Sequence, residues 1–228
     1  MDIKNLILVI IAVLNFLLAV AIFYKNRKSF VNLYFSLMVF VGSLWIFSLF
    51  GYSLASDNPV LRLLFLKLIY TFTLIIGFYY FIFCYHFPYK LFKFPKLLSV
   101  LIYIFVLFYS LVLVINNNYL FSLEKLLIEN LEATYIGNYL TFSIIFVLFI
   151  ILGFIQLLIK FFKSESITKK LIGYVMVGTF ATFILASITN LLPLFWDSFE
   201  IFWLGPVFSL INFSMIAYLI FYKAKKSE

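Results

Sequence analysis

Seven long apolar runs, separated by short polar segments, recur along this sequence at residues 6–24, 30–54, 66–87, 97–115, 139–162, 171–192 and 204–222. A helix needs about 20 apolar residues to cross the hydrocarbon core of a bilayer. Runs of that length in series predict an all-α membrane protein, a seven-transmembrane helix bundle forming a single domain over residues 1–228. Composition agrees, because only 11% of residues are charged, against roughly 25% in a soluble domain.

The net charge of +8 does not point to nucleic acid, because the basic residues fall in four short clusters between apolar runs. Lys25, Arg27 and Lys28; Lys90, Lys93 and Lys96; Lys160, Lys163, Lys169 and Lys170; and Lys223, Lys225 and Lys226 fall on one side of a seven-span topology. Lys4, Arg62, Lys67 and Lys125 fall on the other. Cytoplasmic loops of membrane proteins are enriched in Lys and Arg, so the N-terminus is expected outside and the C-terminus in the cytoplasm. Ala19-Val20-Ala21 mimics a signal-peptidase site. The start Met-Asp-Ile-Lys lacks a basic excess, however, and the run continues through Tyr24, so a membrane helix is expected.

Ser56-Asp57-Asn58-Pro59 reads as a turn after the second span, with Arg62 on the outer side before the third. Residues 120–135 alternate leucines with Glu124, Lys125, Glu129 and Glu132 at helical spacing. This predicts one amphipathic surface helix between the fourth and fifth spans. Trp45, Trp196, Trp203, Tyr89, Tyr139 and Tyr222 stand near span ends, as interfacial aromatic belts do.

All nine carboxylates lie outside the spans, which disfavours a proton relay. The seventh span contains no lysine, which removes a retinal Schiff base. Cys84, the only cysteine, and His86, the only histidine, cannot make a metal site alone. Two residues apart, they point to different helix faces, which disfavours a catalytic pair and makes His86 an interfacial residue. No cofactor, metal or catalytic residue is expected, and no enzyme activity. Asn15, Asn32, Gln156, Asn190 and Asn212 are expected to make inter-helix hydrogen bonds, and the span glycines to allow close helix packing.

The densest functional signal is residues 188–206. An apolar helix runs into Asn190 and stops at Pro193, which cannot donate a backbone hydrogen bond. Trp196, Asp197, Glu200 and Trp203 follow, and Gly205-Pro206 opens the last span. Lys67 is expected to snorkel toward the outer headgroups; the functional alternative is a cation at the bundle mouth, paired with Asp197 or Glu200 or binding an anion. The candidate ligand or signal site is therefore Lys67, Asn190, Trp196, Asp197 and Glu200, with Pro193, Gly205, Pro206 and Trp45 in helix-break and packing roles.

Several of these pieces, in order, resemble a known family. Asn26-Arg27, Trp45, Gly51-Tyr52, Lys67-Leu68-Ile69-Tyr70, Phe87-Pro88, Thr189-Asn190-Leu191-Leu192-Pro193, Leu204-Gly205-Pro206 and Ala217-Tyr218 resemble the N-terminal seven-transmembrane sensor region of bacterial histidine kinases. Gly77, Phe72, Lys169 and Leu171 depart from that pattern. The resemblance implies a sensor in the cytoplasmic membrane of a bacterium, responding to a small ligand or a membrane property. It implies output through a cytoplasmic signalling partner or a kinase module, and it is compatible with a homodimer. No phosphoacceptor or ATP-binding segment appears before Glu228.

A sensory module is therefore the expected function. The alternatives are a small transporter or channel, which would need a polar stripe along a pore, and a structural membrane scaffold. The absence of an obvious internal repeat weighs against a repeat-built transporter.

Overall fold

The structure is a computed structural model that describes residues 2–55, 57–116, 119–120, 136–186, 188 and 203–220. Seven helices make up the described chain: α1 (Ile3–Lys25), α2 (Phe30–Leu54), α3 (Pro59–His86), α4 (Lys96–Ile115), α5 (Ile136–Lys163), α6 (Ser166–Ala186) and α7 (Leu204–Tyr218). The first six are long and apolar enough to cross a membrane, and α7 is a shorter apolar helix. The chain is thus an all-helical bundle of the kind found in multi-pass membrane proteins.

Local chemistry explains the helix ends. Ser29 caps α2 by accepting from the Asn32 N–H at 3.4 Å. The Asn58 side chain accepts from the Leu61 N–H at 3.1 Å, and Pro59 takes the first helical position of α3, where its missing N–H costs nothing. This pair starts α3 well before the apolar run at residue 66, so Arg62 lies inside the first turns of the helix and not on a preceding loop. Its guanidinium sits 4.9 Å from the Tyr52 ring centre. At the other end Phe87 leaves the helix with ψ 137°, as a residue before proline prefers. The sixth helix likewise begins early, at Ser166, whose φ of 47° sharpens the turn from α5.

Helix packing is organised about α2 and α3, which lie against each other. α1 covers α2, α4 and α5 cover α3, and α6 and α7 close the side between α5 and α1. α1 buries one stripe, Leu8, Ile11, Ala12, Asn15, Ala19 and Ile22, at spacings of three, four and seven. Along that stripe Asn32 Nδ2, Ser36 Oγ and Ser43 Oγ of α2 donate to the carbonyls of Ile22, Ala19 and Ala12 at 3.3, 2.8 and 2.8 Å. Small residues let the backbones approach closely enough for these bonds, the usual device where lipid removes the hydrophobic drive between helices.

Two buried clusters divide the interior. One joins Trp45, Leu49, Tyr70, Phe78 and Phe142 with Leu120; the amphipathic helix expected over residues 120–135 otherwise falls on residues 121–135, outside the described chain. The second joins Phe35, Tyr80, Phe83, Leu157, Ile172 and Phe213 at the end bearing the α1–α2, α3–α4 and α5–α6 connections. That end is lysine-rich. Its loops meet there, with Tyr89 Oη 2.7 Å from Ser164 Oγ and Lys90 Nζ 5.4 Å from the Phe30 ring centre.

Candidate functional site

A half-open cavity of about 290 Å³ is lined by residues of α2, α3, α5, α6 and α7. Met38, Gly42 and Trp45 contribute from α2, Tyr80 from α3, Phe146 and Ile150 from α5, Thr179 and Phe183 from α6, and Asn212 from α7. Its walls depend on glycines that seat aromatic rings of neighbouring helices. A methyl group on Gly42 would stand 3.0 Å from Phe213, on Gly77 2.9 Å from Phe146, and on Gly153 2.7 Å from Tyr80. These rings occupy the places that side chains would have taken.

No charged side chain lines the cavity among the described residues. Its hydroxyl groups are already committed: Thr73 donates to Ile69 O at 2.8 Å, Thr179 to Val175 O at 2.7 Å, Thr182 to Gly178 O at 2.9 Å and Ser209 to Pro206 O at 2.8 Å. Tyr80 Oη donates to Thr179 Oγ1 at 3.4 Å. Asn212 is different. It is 5% exposed, and its Oδ1 has no hydrogen-bond partner. It faces the α6 backbone at Gly178, where an added methyl would come within 2.7 Å of Oδ1. Asn32 makes the inter-helix bond expected of a span asparagine, whereas Asn15, Gln156 and Asn212 keep unpartnered side-chain atoms.

Two lysines are buried near opposite ends of the bundle. Lys67 is 7% exposed, and its Nζ donates to Val114 O in the last turn of α4 at 3.1 Å; Asp197 and Glu200, its expected partners, lie outside the described residues. Lys160, 1% exposed, donates to Cys84 O, Tyr85 O and Phe87 O at 2.6, 3.0 and 2.6 Å. The last carbonyls of a helix lack intrahelical donors and carry the negative end of its dipole. Each ammonium therefore supplies both the hydrogen bonds and the charge that a helix C-terminus lacks. The Tyr89 ring, 5.8 Å from Lys160 Nζ, covers that site.

Sequence reading counted Lys160 with the topology-setting charges. The overlooked signal was its setting, Leu157-Leu158-Ile159 before it and Phe161-Phe162 after it, whereas Lys163, Lys169 and Lys170 are exposed. Trp45, expected at an interface, is buried and lines the cavity; Tyr139 is also buried, packing 6.2 Å from Tyr70. Gly205 and Pro206 are buried at the start of α7, with Gly205 on the cavity wall. Cys84 is buried in the core, and His86 stands apart from it among Phe30, Tyr34 and Tyr85 at centroid distances of 5.2, 5.0 and 5.0 Å. Asn190, Pro193, Trp196, Asp197 and Glu200 lie outside the described residues.

No protein-family model, curated protein or solved structure matches this chain.

Proposed function

We propose that this chain is a membrane-embedded sensory module that binds a ligand inside the helix bundle and passes the change to a cytoplasmic effector. The observation that carries this reading is the cavity that five helices of the bundle line. Its volume of about 290 Å³ is near the lower end of ligand pockets, about 300 Å³ and upward. Asn212 of α7 lines the cavity and its Oδ1 packs against α6 at Gly178, so an occupant would bear on the contact between these two helices. The basic clusters favour an N-terminus outside and a C-terminus in the cytoplasm, which points α7 toward the effector. The order of motifs resembling the sensor region of histidine kinases supports an input role without catalysis of its own. The uncharged cavity lining speaks against ion conduction.

A ligand shifts a conformational equilibrium only by its differential affinity for the two states, and this gives the test. Spin labels on Lys93→Cys and Tyr218→Cys, in nanodiscs, report the distance from the α3–α4 loop to the end of α7. Adding ω-bromoundecanol is expected to change the relative weights of two distance populations. An unchanged distribution at saturating probe overturns the sensory reading. Solute flux through reconstituted vesicles would replace it with a transporter.

A further inference from the structure

We propose that the chain holds an anionic phospholipid at its lysine-rich end, with the lipid phosphate against Lys90 and the Tyr34 hydroxyl. This site is separate from the cavity and does not depend on what fills it.

Aromatic rings build a platform there. Phe30 and Tyr34 of α2 stack 6.4 Å apart, and the His86 ring at the end of α3 lies 5.2 and 5.0 Å from them. The loop after α3 is pinned beside it: Tyr85 Oη donates to Phe92 O at 2.9 Å and accepts from the Phe94 N–H at 3.3 Å. That loop carries Lys90, whose Nζ stands 5.4 Å from the Phe30 ring centre and 5.6 Å from that of Tyr85. Ring faces attract an ammonium at this range, so the lysine is placed as well as exposed.

Two donors on the platform have no acceptor. Lys90 meets neither a carboxylate nor a hydrogen-bond acceptor among the described residues. Tyr103 of α4 donates to Tyr34 Oη at 3.2 Å, which leaves the Tyr34 proton without an acceptor among the same residues. Arg27 and Lys28, just before Phe30, are exposed too. Of the described carboxylates, Asp2 and Asp57 lie toward the opposite end and Glu165 is in the α5–α6 connection. Three cations and a hydroxyl donor with no acid among them match phosphate oxygens, which supply both negative charge and lone pairs.

The surroundings choose the source of that phosphate. Phe30 and Tyr103 are 56% and 40% exposed, and α4 packs chiefly on α3, so these rings face where acyl chains would lie. A phospholipid covers them and a free phosphate does not. A choline headgroup would add a cation to a patch that has three, and Lys90 already lies over the rings that would attract it. Basic pockets between membrane helices are a recurrent seat of anionic headgroups.

Native mass spectrometry of the full chain in dodecylmaltoside, titrated with dioleoyl phosphatidylglycerol or dioleoyl phosphatidylcholine, reads the first lipid retained. Phosphatidylglycerol is expected to bind about ten-fold tighter. Lys90→Gln should weaken it about five-fold, the effect of one basic residue near the membrane surface, and Lys90→Arg should keep most of the affinity. Tyr34→Phe, which keeps the ring and drops the donor, should weaken both lipids about three-fold. Lys163→Gln removes the same charge from an exposed residue at the end of α5 and should change binding less than about two-fold.

Equal affinity for the two lipids, or equal losses in Lys90→Gln and Lys163→Gln, overturns the site and leaves a diffuse attraction to the whole basic end. Unchanged binding in Tyr34→Phe overturns the placement of the phosphate. Displacement of the lipid by glycerol phosphate overturns the lipid as occupant in favour of a soluble phosphate ester. None of these outcomes bears on the cavity.

Discussion

Lys67 and Lys160 are the same residue type, both buried, near opposite ends of one bundle, and they are held differently. Lys67 donates to a carbonyl in the last turn of α4, a helix that packs chiefly on α3 and turns Leu101, Ile104, Leu107 and Phe108 outward. Lys160 draws together three carbonyls at the end of α3, under the Tyr89 ring and beside the loops that meet at the lysine-rich end. The first ties a peripheral helix to the bundle. The second fixes the joint where α3, α5 and the α3–α4 loop meet. Burial alone does not set the worth of a polar group; the number and kind of its partners do.

Breaking the stronger site should have the largest effect. Lys160→Met leaves the Cys84, Tyr85 and Phe87 carbonyls without their charged donor, and the loss is expected to be about 3–5 kcal/mol. Unfolding in mixed micelles of increasing dodecyl sulfate would measure it. A loss below about 1 kcal/mol would show that water replaces the lysine and that the joint is not fixed by it. Lys160→Arg should restore little, because a planar fork cannot point at three converging carbonyls as an ammonium does.

The same change at the weaker site, Lys67→Met, is expected to cost about 1–2 kcal/mol in the same assay. The two lysines lie near opposite ends of the bundle, so the double variant should lose the sum to within about 0.5 kcal/mol. Strong non-additivity would mean that α3 transmits strain between its ends. An amine-reactive reagent followed by peptide mapping gives an independent check: Lys163, Lys169 and Lys170 should react readily and Lys160 slowly.

Two substitutions sharpen the point about partners. Asn15 is fully buried, and neither side-chain atom has a partner, so Asn15→Leu should raise stability by about 1 kcal/mol. Ser43, which donates to Ala12 O, should lose about 0.6 kcal/mol on change to alanine. If both substitutions destabilise equally, burial outweighs partnering and the comparison fails.

Much of this architecture was legible from residue order. The apolar runs located the helices, Phe87-Pro88 ended α3, and Gly42, Gly51, Gly77, Gly153 and Gly173 face neighbouring rings as close packing requires. The start of α3 was misplaced because Arg62 and Lys67 make its first turns too polar for a hydropathy window, although Asn58-Pro59 is itself a cap-and-first-turn pair. The candidate site was less legible. Nothing in residue order tells that Lys67 meets the end of α4, Asn212 is one neutral polar residue among several, and Lys160 looks like one more surface charge.

Hydropathy, proline and cap positions act over a few residues, and these alone determined that the chain makes apolar helices of membrane length with basic residues gathered in their connections. Which lysine is solvated and which closes a helix end depends on where another helix stops, 76 residues away in sequence for Lys160 and Cys84. The cavity likewise exists only because five helices meet around glycine-seated rings. Tertiary structure alone decided which buried amide among them was left without a partner.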